Sequence, residues 1–256
     1  MIRHILFSGL LLGILGPGAS AESDPRLSLM LRGQPQDLYF YRATSAKARP
    51  AKVLFLPGDA GWRGFAIDMA KATAAQGYDV YGWDIKKYLM GFTGKTTLNE
   101  AEMMADIHEM ARLIAQDGAE PVILLGWSQG AAMAVLAAAA PQRENIYRGV
   151  VAIGLPESAV LGWRRIDDLT YITKKDPNEP TFTVRPHLPN TAPLPIALIY
   201  STSDEYTTSQ KAKELYATAR EPKRYFEISA RNHGFDGNQS TLFHTINEAL
   251  RWVSLR

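Results

Sequence analysis

Two kinds of apolar pattern alternate along the chain. Short, nearly unbroken apolar runs occur at residues 52–56, 78–83, 122–125, 149–154 and 195–200. Runs of that length suit strands buried on both faces of a parallel sheet. Residues 223–229 continue the series, and residues 37–42 alternate well enough for an earlier strand that follows a polar entry segment. Between these runs the apolar residues recur at helical spacing. Met103, Ile107, Ala111 and Ile114 share a face over residues 99–116, and Leu242, Ile246, Ala249 and Val253 share one over residues 240–253. Residues 65–76, 131–140 and a stretch near 209–219 complete the helices, with Gly77, Gly118 and Pro141 as stop signals. This alternation predicts an α/β fold: one mostly parallel sheet with helices on both faces, built as a single domain over residues 22–256.

Two stretches break the rhythm. Over residues 155–192, Pro156, Pro177, Pro180, Pro186 and Pro189 preclude long regular elements, which reads as a Pro-rich insertion over the edge or top of the sheet, or a lid. At the other end, Arg3 and His4 precede an apolar run from residue 5 to residue 15, a Gly-Pro-Gly break, and Ala19-Ser20-Ala21. That is the layout of a cleaved export signal over residues 1–21, with mature chain from Glu22. An uncleaved anchor is the rival reading, but the apolar run falls short of the roughly 20 residues that span a bilayer.

Composition narrows the partners. The 256 residues are 46% hydrophobic and 21% charged, enough for one large core. A net charge of +2 without a basic run argues against a nucleic-acid partner. The absence of cysteine removes disulfides, a thiol nucleophile and lipid attachment after cleavage, and a soluble exported monomer is expected.

The chemistry centres on Gly126-Trp127-Ser128-Gln129-Gly130. A serine on a sharp strand-to-helix turn exposes its hydroxyl, and flanking glycines relieve crowding there. The pattern is common by chance, but here an apolar strand leads into it and a small-residue helix leads out. A glycine-rich turn whose serine merely caps a helix is the bland alternative. A serine nucleophile needs a base, and the base an orienting acid. Asp204, with Glu205 as rival, follows the strand at 195–200, and His233 lies between the last strand and the last helix. His108 and His244 fall on helix flanks and His187 in the insertion, so they fit less well. The N–H of Gln129 is a natural oxyanion donor, and Asp59, or failing that Ala60, is the candidate for a second after Gly58. Gly94-Lys95-Thr96 lacks the earlier glycine and the strand-to-helix setting of a phosphate loop. Asp84, Asp236, His187 and His233 show no metal-binding spacing, so neither a metal nor a cofactor is expected.

Several stretches together resemble the VirJ/AcvB family of periplasmic bacterial virulence proteins, which carry an α/β-hydrolase domain. They are the loop from Pro57 through Gly58, Asp59, Ala60 and Gly61 to Trp62; Gly82-Trp83-Asp84 followed by Tyr88; the serine turn; and His233-Gly234-Phe235-Asp236-Gly237. The resemblance runs over residues 53–252. It implies an α/β-hydrolase fold with Ser128, Asp204 and His233 as a triad. The chain departs from the family at Trp127, where Tyr is usual, and at Gly234, where a second His is common. The implied substrate is the aminoacyl ester of lysyl-phosphatidylglycerol at the outer face of the inner membrane. Asp59 and Asp84 would then meet its cationic group, while Trp62, Trp83, Tyr88, Leu89 and Phe92 either offer an apolar approach to the membrane or are ordinary core. Two other functions remain open: a periplasmic binding or assembly factor contacting secretion-system components, and an esterase or carboxymethylenebutenolidase-like (dienelactone-hydrolase-like) enzyme for small soluble esters.

Overall fold

The structure, a computed structural model, describes residues 26–45, 49–92, 98–116, 120–141, 143, 146–173 and 177–256. The export signal expected over residues 1–21, Gly94-Lys95-Thr96 and Gly118 lie outside the described residues. Eight strands build one sheet: β1 (Arg26–Leu31), β2 (Gln34–Tyr41), β3 (Lys52–Leu56), β4 (Val80–Trp83), β5 (Val122–Trp127), β6 (Tyr147–Ile153), β9 (Ile196–Ser201) and β10 (Lys223–Ile228). Their spatial order is β1-β2-β4-β3-β5-β6-β9-β10. The β1/β2 and β2/β4 pairs are antiparallel and every later pair is parallel.

The continuous apolar runs have the physical cause assigned to them. Successive side chains of a strand point to opposite faces, and here both faces are covered. Val53 and Phe55 of β3 belong to the core on the face covered by α1 (Phe65–Ala75) and α7 (Gln239–Ser254), while Leu54 and Leu56 belong to the core on the face covered by α3 (Glu100–Ala115), α4 (Gln129–Ala138) and α6 (Ser209–Thr218). Asn99 starts α3 with a reciprocal cap, its side chain accepting from Glu102 N–H while Glu102 accepts from Asn99 N–H.

Two elements were not anticipated. Residues 26–31, read as part of the polar entry, form edge strand β1, joined to β2 by Arg32 and Gly33, both at positive φ (47° and 76°). Arg32 is held there by its guanidinium, whose Nε donates to Asp106 at 2.8 Å and whose other nitrogens reach Glu102. Helix α2 (Ile85–Leu89) has five residues, too few to display a period in sequence.

The segment between β6 and β9 holds only short elements among its described residues. β7 (Ser158–Val160) and β8 (Thr181–Thr183) form an antiparallel ribbon, with 3₁₀ turns at Arg165–Leu169 and Leu188–Thr191 and one helical turn, α5 (Thr170–Thr173). Its root is tied to the main domain. Gln129 exchanges hydrogen bonds with the Val160 backbone (2.8 and 3.0 Å), Arg143 donates to the carbonyls of Ala138, Asn190, Thr191 and Ala192, and His187 meets Glu100 at 3.0 Å.

Candidate active site

All parallel strands of the sheet end on one edge, where the loops place the reactive side chains. β5 passes into α4 through Ser128, whose φ of 55° and ψ of −120° lie where residues other than glycine are rarely found. Such strain persists only where packing over-determines it. A Cβ on Gly130 would overlap the Leu56 carbonyl, and one on Gly126 would overlap the start of α4. Both glycines are therefore required by the close approach of strand and helix. The result is a half-buried Ser128 at the tip of the turn, facing the N-terminus of α4.

His233 occupies the loop after β10 and is nearly buried. Its Nδ1 lies 2.7 Å from Oδ2 of Asp204, itself buried at the end of β9. The other oxygen of Asp204 accepts from the N–H groups of Tyr206 and Thr207, both at 2.9 Å. Burial acts most strongly on this carboxyl and raises its pKa. Together, His233 and the two backbone donors outweigh burial and hold it below the usual aspartate value. Asp204 is thus a carboxylate at neutral pH, so a neutral imidazole places its proton on Nδ1. That leaves Nε2 as the free acceptor, and Nε2 is buried without a hydrogen-bond partner.

Glu205 has a different task from its neighbour. Its carboxylate accepts from the backbone N–H of His233 at 2.8 Å, so it holds the loop while Asp204 holds the ring. The loop is further closed by Asn232 and Asp236, which bond each other twice (2.9 and 3.1 Å), and by Phe235, fully buried despite a φ of 57°. Ser128 and His233 each border the C-terminal end of β6, with no hydrogen bond between Ser128 Oγ and Nε2. Ser128 N–H donates to the Ile153 carbonyl at 2.8 Å, and the next residue, Gly154, has no side chain because a Cβ there would come within 2.5 Å of the imidazole. Five rings, Phe243, Phe65, Trp127, His233 and Tyr206, follow one another past the serine with centroids 5.8, 5.4, 6.0 and 5.1 Å apart. This aromatic run joins five segments and has no signal in any one of them.

The two candidate oxyanion donors lie at the start of α4 and in the loop after β3. Gln129 is the first residue of α4, so its N–H has no acceptor within the helix. Asp59 is a central residue of the turn closed by Gly61 N–H on the Gly58 carbonyl at 3.0 Å, and Gly58 lies against Ser128. The substrate-binding candidates are placed less favourably. Tyr88 is fully buried and donates to Asp106 at 2.6 Å, so it is a core residue and does not meet a ligand, a correction to the sequence reading. Trp83, Leu89 and Phe92 are buried with it, the ordinary-core alternative. Trp62 is stacked on Tyr39 at 5.2 Å and seated over Gly82, where a Cβ would overlap its ring, so it serves chiefly to anchor the loop carrying Asp59. Asp84 caps α2, accepting from Lys87 N–H at 3.1 Å, and packs against Gly61. Asp84, Asp236, His187 and His233 do not converge: Asp236 is on Asn232 and His187 on Glu100.

A serine elbow after the fifth strand of a mostly parallel eight-stranded sheet, followed in chain order by an acid and a histidine on loops at the same edge, belongs to the α/β-hydrolase fold. Residues 51–252 match the family of bacterial virulence proteins called VirJ, and the chain belongs to that family. Among solved structures it is similar to Est1E from Butyrivibrio proteoclasticus with ferulic acid bound (13% identity, TM-score 0.67, 90% of this chain and 100% of that one). It is also similar to the esterase domain of a Rhodothermus marinus protein (19%, 0.61, 90% and 97%). A third is a serine α/β-hydrolase without a lid from Xanthomonas campestris (15%, 0.60, 90% and 94%). No curated protein matches the chain.

Proposed function

We propose that the chain is an exported serine hydrolase that cleaves a carboxylic ester. The observation that carries this reading is the unpartnered Nε2 of His233, oriented by Asp204 on the other nitrogen, on the same edge as a strained, half-exposed Ser128. Ser128 Oγ attacks the carbonyl carbon while His233 Nε2 takes its proton, and the N–H groups of Gln129 and Asp59, with the N-terminus of α4 behind them, stabilise the oxyanion. Collapse passes the proton from His233 to the departing alcohol. Water then repeats the sequence on the acyl-serine.

For the substrate we propose the aminoacyl ester of an anionic phospholipid, lysyl-phosphatidylglycerol, hydrolysed in the periplasm. The family membership supports this, and so does the acidic, half-exposed Asp59 on the loop after β3, beside Ser128 through Gly58. A fluorophosphonate probe should label the protein, and Ser128→Ala should abolish labelling and ester hydrolysis alike. Equal labelling of the Ser128→Ala protein would refute the serine mechanism. Accumulation of aminoacylated phosphatidylglycerol in cells lacking the protein tests the substrate separately.

A further inference from the structure

Three large aliphatic side chains stand in solvent on the segment after β6: Ile166, Leu169 and Ile172, which are 61%, 49% and 80% exposed. Scattered apolar residues on a surface are ordinary, but these three form a ridge. A 3₁₀ helix repeats every three residues, so Ile166 and Leu169 of the turn at Arg165–Leu169 eclipse each other, and Ile172 follows at the same interval in α5. The ridge is held from beneath. Asp167, buried, accepts from Arg164 N–H at 2.6 Å, and Asp168 accepts from Trp163 Nε1 at 2.9 Å and from Lys86 Nζ at 2.6 Å. Trp163 is buried, and its backbone N–H donates to the Leu89 carbonyl.

Those ties also locate the ridge. Lys86 belongs to α2, which starts at the C-terminal end of β4, and its side chain packs against Gly61 in the loop that carries Asp59. At the other root, Val160 is bonded to Gln129, next to Ser128. The ridge therefore stands on the same edge of the sheet as the candidate active site. Charge around it is sorted by direction. Asp167 and Glu179 are buried against Arg164 and the half-exposed Asp168 is paired with Lys86, whereas Arg63, Arg164 and Arg165 are exposed.

An aliphatic ridge framed by outward cations is complementary to a surface with an apolar interior and anionic phosphates at its face. We infer that Ile166, Leu169 and Ile172 dock the protein on an anionic phospholipid bilayer, setting the open edge of the sheet against the headgroups. This deepens the proposed function by supplying the approach to a lipid ester, yet its test does not depend on catalysis.

The full chain and its variants, expressed and purified identically so that any contribution of the N-terminal segment is common to all, are sedimented with vesicles of phosphatidylcholine alone or mixed with phosphatidylglycerol. The wild-type protein is expected to bind the mixed vesicles more than ten-fold more strongly than phosphatidylcholine alone, with the preference weakened by salt. A combined Ile166→Ser, Leu169→Ser, Ile172→Ser variant should lose at least ten-fold in partitioning with its thermal unfolding unchanged. Arg165→Gln, which leaves the ridge intact, should lose part of the preference for anionic vesicles. Absence of binding by the wild type, or equal binding by the serine variant, would overturn the inference. So would light scattering that shows a wild-type dimer dissociated by the serine substitutions, since the ridge would then be covered by a second copy. Active protein that ignores vesicles would remove the docking surface and leave the serine mechanism standing. Vesicle binding by a protein that no probe labels would do the reverse.

Discussion

Two adjacent carboxylates, Asp204 and Glu205, divide the work around one histidine: one meets the ring, the other the backbone. Sequence order places both equally well after β9. The distinction arises in the tight turn that follows Ser201, where Asp204 is folded back into the sheet edge and Glu205 is left outside. The two should therefore fail differently. Asp204→Asn removes the acceptor for Nδ1–H and favours the wrong tautomer, lowering kcat by about 10³- to 10⁴-fold, as loss of the orienting acid does in serine proteases. Glu205→Gln keeps an acceptor for His233 N–H and should cost less than about ten-fold, roughly the worth of a weakened hydrogen bond. Steady-state kinetics of the two purified variants decides it, and comparable losses in both would contradict this division.

The loop between β3 and α1 carries one candidate oxyanion donor and is secured at a distance from it. Trp62 reaches across to β4 and lies where any side chain on Gly82 would have to be. The paired positions could be noticed in the sequence as Gly82 and Trp62, but not their contact, because they belong to strands and loops separated by a helix. Gly82→Ala should expel the ring. Overpacking of this kind costs about 1–3 kcal/mol, which for a chain of this size lowers Tm by about 2–4 °C per kcal/mol. A matching fall in kcat is expected because Asp59 loses its support, and an unchanged melting curve would show that the ring has room elsewhere. The helices were read closely from sequence, α3 and α7 to within a residue or so at each end, since each is long enough to display its apolar face. Strand β1 and helix α2 were not. An edge strand buries little, and of residues 27–31 in β1 only Leu31 is buried; a five-residue helix shows no period.

Several carboxylates across the molecule have depressed pKa values. Lys211 lowers that of Glu157, Lys86 that of Asp168 and Ser209 that of Glu227, and Asp204 is lowered at the site despite its burial. A carboxyl with a folded-state pKa below its unfolded value stabilises the fold above the unfolded value, and that contribution vanishes as pH falls through the lowered one. Their ordinary values are 3.8 for Asp and 4.5 for Glu. Thermal stability should thus be flat in pH near neutrality as far as these groups are concerned and fall below about pH 4. Melting curves from pH 3 to 7 test this, and a Tm that rises on acidification would contradict it. Raised salt should soften the acid response of the exposed pairs Glu157–Lys211 and Glu227–Lys213 more than that of buried Asp204.

The residue string alone settled the alternation of strands and helices, the serine turn, and the chain order of the candidate acid and base. These are local or periodic properties, written in apolar spacing and in glycines that flank one position. Tertiary structure decided which carboxylate meets His233, that Tyr88 is sealed in the core with Asp106, that Trp62 is an anchor, and that the aliphatic residues of the segment after β6 face outward. Each of those outcomes depends on which surfaces meet across the sheet edge. A residue's burial and partners are set by segments distant in the chain, so no spacing within its own segment encodes them.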